Sequence, residues 1–202
     1  MRFWHFVLPL FALFFLAGCK ESTQESVIPS ETALVAVASE GDVQNMHSQQ
    51  TEMNNILERQ AVLERVKDIF RVVKGEFFRH GSSVENELLD KAYCSKDWNS
   101  LLLAVRYKEY QTNTLFFEIN RWSLTTEPGI VWFDEFEVTS LASGPKPTAS
   151  VSFVVYEDNT YTPAKLDLVY ENGQWMIDNF YNLKYGLNLR ERMWYYLEND
   201  MM

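Results

Sequence analysis

Cysteine, histidine and basic charge are all scarce in this sequence, and each scarcity removes a class of chemistry. Two cysteines in 202 residues cannot build a disulfide framework. Three histidines leave little material for a histidine-rich zinc site or a serine triad. The usual catalytic signatures are missing too: there is no glycine-rich phosphate loop, His-Glu-X-X-His, Cys-X-X-Cys or Gly-X-Ser-X-Gly elbow. No cofactor and no metal are therefore expected. Eighteen basic residues against 28 acidic ones give a net charge of −10. That balance argues against a nucleic-acid surface, because phosphate binding needs clustered Lys and Arg. What is present is apolar and aromatic: 47% hydrophobic residues, with six Trp, ten Tyr and 14 Phe, describe one ordinary domain with an aromatic-rich core.

Long hydrophobic runs are also lacking. The longest, Phe3 to Leu16, has 14 residues, short of the ~20 that span a bilayer as a helix. With Met1 and Arg2 before it, the run reads as a signal peptide over residues 1–18. It ends in Leu16-Ala17-Gly18-Cys19, which resembles the lipobox of bacterial lipoprotein precursors. The resemblance implies cleavage before Cys19 and a diacylglyceryl thioether on its sulfur; the alternative is an ordinary signal peptide that happens to contain a cysteine. Two or more acyl chains would hold the protein stably on a membrane. The mature chain would keep 17 basic and 28 acidic residues, a net charge of −11. Lys20-Glu21 after the cysteine is compatible with the outer membrane rather than the inner one, and resembles the start of surface-exported lipoproteins. With Cys19 lipidated, Cys94 would be the only free thiol. It reads as a small buried hydrophobe, since a catalytic thiol would need a base and only His47 and His80 remain.

Residues 19–53 are dominated by Ser, Thr, Glu and Gln and read as a flexible tether. As a random coil of ~33 residues it would reach about 30 Å. His47 falls in it and is not expected to be a ligand. A single domain over residues 54–202 follows. From Asn54, Ile56, Val62, Leu63, Val66, Ile69, Phe70, Val73 and Phe77 recur at three- and four-residue steps, which predicts an amphipathic helix ending near His80-Gly81. His80 there suits the negative helix terminus. A less regular helical stretch runs from Val84 to about Tyr110.

Beyond Thr114 the composition turns aromatic and β-branched. Strands are expected over Phe116 to Leu124, Val131 to Leu141, Ala149 to Glu157, Thr162 to Tyr170 and Gln174 to Leu183. Asn172-Gly173 suits a tight type I′ hairpin. Asn188, with Glu191 three residues on, can cap a short C-terminal helix. Helices, then a meander of strands, then one helix point to α+β, with helices on one face of a curved antiparallel sheet. This order resembles the nuclear-transport-factor-like, or cystatin-like, cone fold. Leu89-Asp90-Lys91-Ala92-Tyr93-Cys94-Ser95-Lys96-Asp97-Trp98 and Leu168-Val169-Tyr170-Glu171-Asn172-Gly173-Gln174-Trp175-Met176-Ile177-Asp178-Asn179-Phe180 are similar to segments of an uncharacterised family of bacterial envelope lipoproteins, domain of unknown function 3828. The resemblance covers about residues 60–183 and implies no activity.

Two carboxylates fall in apolar rows. In a regular strand Trp132, Asp134, Phe136 and Val138 would share one face, and Asp178 would lie between Met176 and Phe180. An Asp on an inner sheet face has a raised pKa suited to general acid or base work, and the cone resemblance implies a proton-shuttle Asp in a concave pocket. Tyr156 and Tyr170 are the candidate hydroxyl partners. The blander alternatives are a bulge that turns Asp134 to solvent, and an Arg or backbone partner for Asp178. Trp122, Trp132 and Trp175 could form a sugar-stacking platform or simply be core. Three readings follow: a non-catalytic envelope module binding a small molecule, glycan or protein; a small-ligand isomerase or hydrolase using a pocket Asp; and an inhibitor or immunity-type lipoprotein whose acidic surface caps a basic partner. The cone resemblance also implies a homodimer through the open sheet face.

Overall fold

The computed structural model describes residues 40–81, 86–117, 119–126, 130–157 and 160–199, and the side chains from residue 48 onward. The signal peptide, the lipobox with Cys19 and the first part of the tether lie outside them.

The first helix, α1, spans Glu40–His80. It begins 14 residues before Asn54, so residues 40–53 are helical rather than a flexible coil. The segment contains no proline, and its Gln, Glu and Met residues propagate a helix well even where no core is available to pack against. The expected inner stripe is in place: Val62, Val66, Ile69, Phe70, Val73 and Phe77 are all buried. Ile56 is not part of it, being 58% exposed.

The second helical stretch is two helices, α2 (Asn86–Tyr93) and α3 (Lys96–Thr112). No Gly or Pro marks the break. Ser95 is extended (φ −60°, ψ 160°), and its hydroxyl accepts the Trp98 N–H while its own N–H donates to the Ile177 carbonyl at 2.8 Å. A helix cannot continue through a residue whose backbone is bonded to a strand, so α3 starts afresh with Ser95 as its N-cap.

Among the described residues, the strand expected over Phe116 to Leu124 does not form. The Asn120 side chain accepts the N–H groups of Trp122 (2.9 Å) and Ser123 (3.2 Å), and Leu124 sits at φ +59°. This local bonding folds the chain into consecutive turns in place of a ladder.

The remaining strands are β1 (Val131–Ala142), β2 (Thr148–Glu157), β3 (Thr160–Glu171), β4 (Gln174–Asn182) and the two-residue β5 (Leu187–Asn188). They form one antiparallel sheet in sequential order, as short links require. Asn172 and Gly173 both take positive φ, 52° and 83°, as a type I′ turn demands. The last helix, α4 (Leu189–Glu198), is capped by Asn188, whose side chain accepts the Glu191 N–H at 3.2 Å. The class is α+β, with the helices grouped before the sheet and one short helix after it.

The core lies between α1 and one face of the sheet. Phe70 meets Phe133, Phe153 and Phe136 at ring-centroid distances of 4.6, 4.8 and 5.6 Å. Deeper in, Phe180 touches Trp98 at 5.0 Å and Trp122 at 5.1 Å. Among the described residues no helix is long and apolar enough to cross a membrane.

Candidate functional site

Strand alternation gives the sheet two faces, and bulges decide which residues each face receives. Val151, Phe153 and Val155 of β2, with Ala164, Leu166 and Leu168 of β3, point toward α1 and are buried. On β1, Asp134 pairs with Val154 but Glu137 with Ser152, so the strand carries one residue too many. Glu135 absorbs the extra residue at φ +57°, its N–H donating to Asp134 Oδ1 at 2.8 Å. The bulge reverses the phase of the strand. Val131 and Phe133 face the core before it, Phe136 and Val138 after it, and Trp132 and Asp134 point the other way. Trp132, Asp134, Phe136 and Val138 therefore do not share a face, and Asp134 is an exposed carboxylate outside any inner pocket.

Asp178 is displaced by a second bulge. Leu168 pairs with Ile177 and Asp167 with Asn179, which leaves Asp178 as the extra residue. Its carboxylate accepts from Ser95 Oγ and pairs with the Arg190 guanidinium, which also donates to the Asp178 carbonyl at 3.0 Å. Asp178 thus ties the start of α3, strand β4 and the first turn of α4 together, and it is not an unpaired proton shuttle. The two tyrosines do not serve these carboxylates as expected. Tyr156 donates its hydroxyl to Glu135, and that hydrogen bond holds its pKa above 10.0. Tyr170 packs edge-on against Trp175 at 5.3 Å.

The three-tryptophan platform is not assembled either. Trp122 and Trp175 are buried in the core, whereas Trp132 is 37% exposed on the opposite face. There it has other companions. Trp132 lies directly across from Tyr156, and Tyr156 across from Tyr161, so one row crosses three adjacent strands. The Trp132 and Tyr156 rings are parallel within 7° at 5.7 Å, and Tyr161 is 64% exposed. Tyr161 carries no mark of its own in the sequence. Its place opposite Tyr156 across a short hairpin was the available signal.

Farther along the same face the chemistry turns polar. Tyr181 donates to Asp167 Oδ2 at 2.6 Å, Ser150 Oγ donates to Asp167 Oδ1 at 2.7 Å, and Lys165 lies 3.9 Å from the Tyr181 ring centroid. Burial, joined by the hydrogen bond to Asp167, pushes the Tyr181 pKa up to about 12. A groove of about 570 Å³ here is lined by Ser150, Lys165, Asp167 and Asp178. A larger hollow of about 660 Å³ lies elsewhere, between Leu115-Phe116 and the region of Leu187, Arg192, Tyr195 and Tyr196.

A second polar group lies inside the core, where the sequence pattern gives little sign of it. Asp90 and Arg121 are both essentially inaccessible and ion-paired, with Arg121 Nε donating to Asp90 Oδ2 at 2.7 Å. Trp122 Nε1 donates to the other carboxylate oxygen at 3.0 Å, and the Cys94 sulfur lies 3.8 Å from it. Burial pushes the Asp90 pKa above its usual 3.8, against the pull of Arg121, and pushes the Cys94 thiol well above 9.0. Cys94 is therefore an inert buried thiol, as its surroundings in the sequence imply. The four-residue step from Asp90 to Cys94, beside Leu89, was the one hint that Asp90 faces inward.

The two motif stretches meet in space. Ser95 bonds to Ile177 and Asp178, and the Lys96 N–H donates to Glu171 Oε2 at 3.1 Å. Their shared residues hold the helical layer against β4. Among the described residues no group of three or more His, Cys, Asp or Glu side chains gathers as a metal site. What the sheet face that is free of helices among the described residues offers is stacking surface, hydroxyls and carboxylates, which are means of binding. Compared with family models, with curated proteins and with solved structures, the chain finds no match in any of the three.

Proposed function

We propose that this protein is a bacterial envelope lipoprotein, anchored through lipidated Cys19 in the outer membrane, whose α+β domain is a non-catalytic binding module. The observation that carries this reading is the contrast between the two faces of the sheet: one is filled by α1, and the other keeps Trp132, Tyr156 and Tyr161 in register, Tyr156 half-buried and the other two exposed, with no helix over them among the described residues. The lipobox supports the anchor, and the acidic composition supports a partner other than nucleic acid. The pocket carboxylates that an isomerase or hydrolase would use are exposed or ion-paired instead.

Two measurements test the proposal. Metabolic labelling with a fatty acid should mark the wild-type chain and not Cys19→Ser, with the variant leaving the membrane fraction; equal labelling would remove the anchor. Ligand-observed NMR of the full-length protein against glycans, small molecules and peptides should find binding that Trp132→Ala abolishes. Turnover of a ligand that depends on Asp134 or Asp178 would overturn the non-catalytic reading.

A further inference from the structure

The aromatic row has a pronounced charge asymmetry. Strands β1 and β2 contain no Lys or Arg, yet carry Asp134, Glu135, Glu137 and Glu157. Asp134 and Glu135 are exposed next to Trp132, and Glu135 accepts the Tyr156 hydroxyl. On the far side of the row, Tyr161 borders a groove with Thr160, Pro163 and Lys184, so the negative potential is concentrated toward β1. Three strands at ~4.8 Å spacing make the row about 10 Å wide, the width of a single extended chain with its side chains.

The exposed face of an aromatic ring attracts cations, and Arg in particular stacks flat on Trp and Tyr. A carboxylate beside the ring adds charge complementarity. A neutral sugar would use the rings and leave the carboxylates without a counter-charge. A second copy of the chain, itself at −10, would set like charges against each other. We propose that the row formed by Trp132, Tyr156 and Tyr161 docks a Lys- or Arg-rich segment of a cationic partner protein, with basic side chains over the rings and Asp134 and Glu135 as their counter-charges. This inference rests on the binding-module reading and supplies its partner class.

The test uses the full-length lipoprotein in neutral detergent and a fluorescent 12-residue peptide of alternating Arg and Thr, followed by anisotropy. The peptide should bind at low ionic strength and weaken by about tenfold or more when salt shortens the screening length from ~30 to ~8 Å. Trp132→Ala and the pair Asp134→Asn with Glu135→Gln should each weaken binding by about fivefold or more. The pair Asp68→Asn with Glu198→Gln removes the same charge elsewhere and should change it by less than about twofold. All four of the acidic positions are exposed, and circular dichroism of each variant is the check that it folds. Equal weakening in both charge variants, or no peptide binding, overturns the inference. A neutral chitooligosaccharide whose binding requires Trp132 overturns it as well, yet keeps the binding-module reading. If no peptide, glycan or small molecule depends on Trp132, both fall.

Discussion

The two faces of one sheet carry aromatic residues in similar density and use them in opposite ways. Toward α1, Phe133, Phe136 and Phe153 close around Phe70, the first two partly buried and the last fully so. On the other side, Trp132 and Tyr156 stack on each other, and among the described residues no helix lies above them. The same strands build both, and successive residues separate them. Packing against α1 accounts for the first face, while the second carries rings that lie outside that cluster.

Mutations should divide along that line. Phe70→Ala removes the ring at the centre of the cluster and should lower the unfolding free energy by about 3–5 kcal/mol in urea denaturation. Asp90→Ala leaves the Arg121 guanidinium buried without its counter-ion, and a loss of about 3–5 kcal/mol is expected by the same measurement. A loss under about 1 kcal/mol in either would mean that the helix-covered side is less closely packed than its burial implies.

On the helix-free face the effects should be smaller and depend on conditions. The fold raises the Tyr181 pKa from 10.0 to about 12, so the native state favours the neutral phenol. The stabilisation is complete below pH 10 and disappears as pH rises toward about 12. Wild type should therefore lose stability relative to Tyr181→Phe across that interval, and spectrophotometric titration should find a late-ionising tyrosine in wild type that Tyr181→Phe lacks. A constant difference would break the assignment of the Tyr181–Asp167 bond. Last, Trp132→Ala gives up only a cross-strand stack and should cost less than about 1 kcal/mol. A larger loss would show that the exposed row is structural after all, and would remove the reason for assigning it to a partner.

Local chemistry was legible in the sequence, and tertiary chemistry was not. Asn172-Gly173 and the Asn188/Glu191 cap act within a few residues, and both are found where expected. The α1 stripe was legible because six buried side chains repeat with the helical period. The break at Ser95 was hidden, because it depends on the Ile177 carbonyl 82 positions away. The bulges mattered most for the site. Alternation assigns faces only while the count is unbroken, and one additional residue at Glu135 moves Trp132 and Asp134 to the face opposite Phe136. Val131 to Val138 contains no Gly or Pro, so nothing in its composition marks the bulge. The turn over residues 120–125 was lost to the same kind of competition, with the Asn120 side chain substituting for a strand partner.

The length of α1 has a mechanical consequence. Its 41 residues make a rod of about 60 Å, and its fully buried residues begin only at Val62. Residues 48–57 are solvent-exposed on every side. A coil would transmit only a distance from its upstream end to the domain, leaving the domain free to tumble. A rod continuous with the core also transmits direction. A twist applied at Glu40 would therefore be carried along the helix axis toward Phe70 and the sheet.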